Sequence, residues 1–280
     1  KTVEGFLKER GYTHQVLVRL KQTDHGILRN GIWAYTNERL CKDDLITVQI
    51  VENECSDNIA PVNLPLDIAY EDDDIIVINK PFDMPAHPSA GNHDNTLANA
   101  LMYYYGSQNK PFVYRCINRL DRDTTGLTIV AKHALAGGIL GNAVAKRAIH
   151  RTYYAVCSGC TPACMRISAP IARKDASTIE RCVDFKRGEN AVTDFIRIKY
   201  NPDNNLSLVK LRLLTGRTHQ IRVHMKYIGF PLIGDFLYNP DYTYISRQAL
   251  HSGRLVFTHP VTGQKMNLIS DIPSDMKSLF

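Results

Sequence analysis

The chain predicts an α+β protein: a mixed, largely antiparallel central sheet flanked by helices, with a small α/β unit ahead of it. Two observations predict this. Strand-like and helix-like stretches alternate without the strict βαβ rhythm of a parallel fold. An acidic, proline-punctuated stretch over 52–66 separates a short first unit from a longer second one. At 280 residues, 44% hydrophobic and 22% charged, the composition suits a globular protein with a sizeable core and excludes disordered and collagen-like classes. No apolar run approaches the roughly 20 residues needed to cross a bilayer.

Val3, Phe6 and Leu7, continued by Val16 and Leu20, predict a helix over 3–15 and a second over 15–22. From Gly26 the pattern changes to strands, with a tight turn at Asn30-Gly31 and alternation over Leu45–Val51. This first unit spans 1–51, the linker 52–66 and the larger domain 67–280. In the larger domain, Ile68-Ala-Tyr70 leads to a strand over 74–79, β-branched enough to be buried on both faces and stopped by Lys80-Pro81. A helix follows over 96–105 with Thr96 as N-cap, then a strand over 126–132 and a glycine-weakened helix over 134–149. Strands are predicted over 152–156 and 206–213. In the latter, Val209, Leu211 and Leu213 face one way and Lys210 and Arg212 the other. Ile221, Met225 and Ile228 stripe a final helix with Thr218 as cap and Gly229 as stop.

The net charge is +6, but its distribution says more. Residues 1–51 carry eight basic and six acidic side chains, 52–79 none and eight, and 80–280 the remaining 26 and 14. A basic body beside an acidic connector suits a polyanion such as nucleic acid. The odd count of seven cysteines, without a basic-then-apolar leader, points to a reducing, cytoplasmic compartment. Cys157, Cys160 and Cys164 begin with zinc-like spacing but lack a second spaced pair, so no metal site is expected.

Three stretches could carry chemistry. In Arg119-Leu-Asp121-Arg122-Asp123-Thr-Thr-Gly126-Leu, charged turn residues precede a strand; they read as a solvated loop or as a carboxylate, Asp121, held among Arg115, Arg119 and Arg122. In Thr215-Gly-Arg217-Thr218-His219-Gln-Ile221-Arg222-Val-His224-Met225, a strand–turn–helix junction offers free backbone N–H groups and Arg217 to a phosphate. His219 and Arg222 share a helix face there, whereas His219 and His224 do not, which disfavours joint metal ligation. The acidic run Glu71–Asp74 lacks metal-loop spacing and reads as a solvated turn.

Taken in order, these stretches resemble the RluA-type pseudouridine synthases over 67–280. The resemblance rests on Tyr70 to Pro81 with Ala86-His87-Pro88, Arg119 to Leu127 with Ala131-Lys132, and Arg151-Thr-Tyr153-Tyr-Ala155. Thr215 to Met225, Gly234-Asp235 and Gln248-Ala-Leu-His251 complete it. Residues 1–51 resemble, more loosely, an S-four-type RNA-binding domain through Phe6-Leu7, the Gly26–Gly31 turn and Asp44–Val48. Asn118 stands where the family often has His, and Thr125 where Ser is commoner.

The resemblance implies the pseudouridine synthase fold and isomerisation of uridine to pseudouridine in structured RNA. Ribosomal RNA is the first expectation and transfer RNA the second. It implies Asp121 as the catalytic carboxylate, Tyr153 stacked on the target base, and Arg222 paired with Asp121 and keeping it ionised. It also implies Ile221 walling the pocket, and Arg119, Arg217, Thr218 and His219 binding substrate, the last three at phosphates. No cofactor, metal or membrane is implied, and a monomer is expected. Whether Asp121 attacks the sugar, attacks the base or removes a sugar proton stays open. The alternative is a non-catalytic RNA-binding or ribosome-assembly factor keeping the fold, against which intact Asp121, Tyr153 and Arg222 count.

Overall fold

The computed structural model describes all residues except Ala90, Ala176 and Thr178. Thr2 and Thr13 cap α1 (Val3–Glu9) and α2 (His14–Gln22), each hydroxyl accepting the N–H three residues on. The first helix stops at Glu9, short of residue 15, because the chain turns out of it through Gly11 at φ +89°. β1 (Ile27–Arg29), β2 (Ile32–Trp33) and β3 (Ile46–Val48) form an antiparallel sheet in the order β2-β1-β3. The Asn30-Gly31 turn holds both residues at positive φ, 53° and 82°, as a tight hairpin of this hand requires. β3 is shorter than its alternation suggests, partly because the Asn30 side chain takes the Leu45 N–H.

Residues 52–66 contain no helix or strand, yet they lie against the larger unit. Ser56 and Val62 donate backbone N–H groups to Phe112 and Asn99, and Ile59, Leu64 and Leu66 cover apolar side chains there. Next come β4 (Ile68–Glu71), β5 (Ile75–Lys80), α3 (Leu97–Gly106), β6 (Arg115–Cys116), β7 (Thr125–Ala131) and α4 (Ala134–Ala145). After them run β8 (His150–Ser158), β9 (Cys164–Ser168), β10 (Ile171–Arg173), β11 (Arg181–Val183), β12 (Val192–Asn201) and β13 (Leu206–Leu213). The chain finishes with α5 (Gln220–Tyr227), β14 (Leu250–Thr258), β15 (Lys265–Ile269) and α6 (Ser274–Lys277). Thr96 caps α3 in a full capping box with Asn99. α4 ends at Ala145, not 149, where Arg147 turns left-handed at φ 57°.

A ten-stranded sheet forms the body, in the order β4-β5-β7-β14-β8-β13-β12-β9, with β15 on β14 and β6 on β7. Every pair is antiparallel except β7 with β14. β5 is buried on both faces: Ile75 and Val77 meet α4, while Ile76 and Ile78 meet α3. Tyr153, Val209, Leu211, Ile221 and Met225 fill the space between α5 and the far half of the sheet.

The N-terminal unit closes its own core over α4. Val3, Leu7, Val16, Leu17, Leu20 and Ile27 enclose Leu135, with Ala134 and Ile139 beside it. The glycines of α4 allow this approach, since a Cβ on Gly138 would lie 2.8 Å from Thr13 Cγ2. Glu52 fastens the seam through Arg19 and Arg115, at 3.4 and 2.6 Å.

Candidate active site

Asp121 sits in the loop between β6 and β7, and three anchors fix that loop. Asn118, which is buried, binds Leu127 O (3.1 Å) and Ile129 N (2.8 Å) through its amide and so pins the loop to the start of β7. Lys80, at the end of β5, donates all three of its ammonium hydrogens, to Pro81 O, Met84 O and Arg122 O at 2.7–2.8 Å. Burial pulls its pKa down to about 7, with Asp123 and Asp121 pulling the other way. From β14 and the turn before it, Gln248 donates to Thr124 Oγ1 (2.6 Å) and the His251 ring bonds Thr125 Oγ1 (2.9 Å). Gly126 permits this junction: at φ +106°, a Cβ there would meet Ser252 O at 2.3 Å.

The carboxylate faces α5. Arg222 Nη1 donates to Asp121 Oδ2 at 2.9 Å, while its Nε and Nη2 bind both oxygens of Asp235 at 2.7 and 2.8 Å. Asp235 is fully buried, and its Oδ1 also accepts the N–H groups of Leu237 and Tyr238. Burial alone would lower the Arg222 pKa, but Asp235 and Asp121 outweigh it and the net shift is upward. Asp235 thus aims a permanent cation at Asp121.

Asp121 opens into a cleft of about 1090 Å³. Tyr153, Ile221 and Leu250 supply apolar wall, and eight arginines line it: Arg119, Arg122, Arg147, Arg151, Arg181, Arg212, Arg217 and Arg222. Among the described residues Asp121 is the lone carboxylate in that lining. Arg119, Arg147, Arg151, Arg181 and Arg212 line it with no carboxylate partner among the described residues, although Arg181 donates to the Ile179 and Glu180 carbonyls.

The structure unites Asp121, Tyr153, Ile221, Arg222, Thr218 and His219, with Arg119 and Arg217 on the same lining. Several expectations change. The guanidinium beside Asp121 is not one of its neighbours along the chain: Arg115 is taken by Glu52 (2.6 Å) and Arg122 by Asp123 (3.2 Å). Arg217 is tied to Glu189 and to Asn190 O (3.1 Å) on the exposed rim of the cleft. Thr218 does not cap α5. The cap position is His219, at φ 56°, and the Gln220 side chain takes the Arg217 N–H instead.

The acidic run is not simply solvated either. Asp72 accepts from Tyr70 (2.7 Å) and from the N–H groups of Asp74 and Ile75, and Asp74 meets His133 at 2.8 Å. His259 Nε2 lies 2.9 Å from Asp72, which groups Asp72, Asp74 and His259 at the spacing of cation ligands. However, His259 Nδ1 accepts the Val261 and Thr262 N–H groups, so the ring proton sits on Nε2, which lies near the carboxylates without hydrogen-bonding them and is not free to ligate a cation. Lys80, Asp235 and Gln248, which lie in the resembling stretches, and Tyr238, which no motif marks, carry structural parts of the site by acting on residues from other segments.

Residues 74–227 match the family described as RNA pseudouridylate synthase. The chain is 38% identical over 281 residues to the uncharacterized RNA pseudouridine synthase YjbO of Bacillus subtilis (strain 168), covering all of this chain and 98% of that one. It is 41% identical over 245 residues to ribosomal large subunit pseudouridine synthase D of Haemophilus influenzae, covering 82% and 75%. Among solved structures, human RNA pseudouridylate synthase domain containing 1 superposes with a TM-score of 0.64 at 25% identity, covering 77% of this chain and 87% of that one. The match over more than half of the chain, and a relative aligned along its whole length, make this protein a member of the RNA pseudouridylate synthase family.

Proposed function

We propose that Asp121 is the catalytic carboxylate of an enzyme that isomerises uridine in ribosomal RNA. The observation that carries the residue assignment is the setting of Asp121, a lone carboxylate in an arginine-lined cleft, bound by Arg222, which Asp235 holds in place. The reaction breaks the N1–C1′ bond, turns the uracil and joins C5 to C1′. The C5 proton leaves and N1 ends protonated, so the formula is unchanged. A uridine must leave its stack to reach Asp121, at a cost of a few kcal/mol. Tyr153 offers an aromatic ring to receive it, with Ile221 from the same apolar cluster walling the pocket. Arg119 and Thr218, both exposed on the rim, hold the flanking phosphates.

Ribosomal RNA is the proposed target because relatives such as the Haemophilus influenzae protein are named for the large ribosomal subunit. Residues 1–51 act as an RNA-binding module that adds reach, and 67–280 form the catalytic domain of a monomer. The seven free thiols fit a reducing, cytoplasmic setting. The test is Asp121→Asn, isosteric but uncharged. Pseudouridine formation on ribosomal RNA should fall below about 1% of wild type while RNA affinity is kept. Turnover surviving in that variant would remove Asp121 from the mechanism.

A further inference from the structure

His219 precedes the first turn of α5 with left-handed backbone, φ 56°, a conformation that a side chain other than Gly, Asn or Asp adopts at a cost. Its ring is largely buried, with 13% of the side chain exposed. Nδ1 lies 3.0 Å from Tyr238 Oη, and that same oxygen accepts the Arg181 backbone N–H at 2.9 Å. A phenol has one hydrogen to give. Among the described residues Nδ1 is the one acceptor within reach of that hydrogen, so the hydroxyl donates to Nδ1 and Nδ1 is the acceptor nitrogen. The ring proton is therefore on Nε2. Burial lowers the His219 pKa; Asp121 and Asp235 oppose that shift, while Arg222 and Arg181 add to it. The ring is neutral, and its single N–H is aimed.

It is aimed into the cleft. Nε2 lies 3.9 Å from Asp121 Oδ2, too far for a hydrogen bond, and has no acceptor among the described residues. Phosphate binding would suit an exposed, charged imidazolium, and His219 is neither.

We propose that His219 is a catalytic hydrogen-bond donor to the uracil, locked in one tautomer by Tyr238. This rests on the uridine-isomerase reading of the Asp121 cleft. When N1–C1′ breaks, the electron pair stays with the uracil and spreads onto its carbonyl oxygens. A fixed N–H beside Asp121 stabilises that charge without transferring its proton. C5 then bonds C1′, the C5 proton passes to water, and N1 is protonated. His219 ends the cycle as it began, so no further reactant is needed. Tyr238 is the positioning residue, acting through the ring.

The experiment compares His219→Leu, His219→Gln and Tyr238→Phe in the full chain, by single-turnover release of tritium from ribosomal RNA carrying 5-tritiated uridine. RNA affinity is measured in parallel by filter binding. His219→Leu should slow release about 100-fold while affinity stays within about twofold. His219→Gln, which keeps an N–H at similar reach, should recover roughly tenfold of that loss, and Tyr238→Phe should slow release about tenfold at normal affinity. A His219→Leu protein that binds RNA about tenfold more weakly but reacts at the wild-type rate overturns the proposal in favour of a phosphate contact. A Gln variant as slow as Leu overturns it too. If His219→Leu does not fold, the Gln and Phe variants decide, since wild-type rates in both refute a donor fixed by Tyr238. Wild-type protein that releases no tritium refutes the isomerase reading itself, and the inference with it.

Discussion

Arg222 can offer one guanidinium nitrogen to Asp121 because Asp235 holds the other two. Asp235→Asn leaves that cation buried with half its compensation. The expected cost is about 3–5 kcal/mol, read from urea unfolding midpoints, with loss of turnover. Lys80 makes a different prediction. Its folded pKa, about 7, lies below its ordinary 10.5, because burial penalises the ammonium. That penalty is fully present below pH 7 and is relieved as pH rises from 7 toward 10.5, where the unfolded chain keeps a proton the folded chain has lost. Wild type should therefore gain stability over Lys80→Met by up to about 1.4 kcal/mol per pH unit across that window. A pH-independent difference between the two proteins would show that Lys80 keeps its proton when folded.

Two glycines set how elements meet. Gly126→Ala puts a Cβ 2.3 Å from Ser252 O at a positive φ, and should cost about 2–5 kcal/mol by forcing β7 and β14 apart. Gly138→Ala crowds Thr13 Cγ2 at 2.8 Å and should loosen α2 from α4, read as faster hydrogen exchange confined to α1 and α2. Thr13→Ser, which keeps the capping oxygen and removes that methyl, should restore protection. Elements whose signal is local were legible in the sequence: the doubly buried β5, the Asn30-Gly31 hairpin, the Thr96 cap and the apolar stripe of α5. The glycines of α4 read as mere weakness, because a missing Cβ acquires meaning only once Thr13 stands opposite. Local reading likewise put Arg115 and Arg122 beside Asp121, where the fold brings Arg222 from 101 positions away. Only the family resemblance named that partner.

Across the whole molecule, the charge gathers in the cleft. Five of its arginines lack carboxylate partners among the described residues, and the proposed RNA substrate would supply the missing charge. Binding should weaken steeply with salt, and Arg147→Ala or Arg151→Ala should each flatten the log–log slope by roughly 0.7–0.9, with similar loss on any RNA sequence. Unchanged slopes would place the bound strand elsewhere. The same architecture has a consequence in time. Thr124 and Thr125, beside Asp121, are held by Gln248 and His251, 124 and 126 positions downstream. A chain leaving the ribosome exposes its carboxylate long before those anchors exist, since contacts this distant in sequence close late. A product cut short ahead of Gln248 therefore carries Asp121 on a loop that has lost the two side chains holding Thr124 and Thr125.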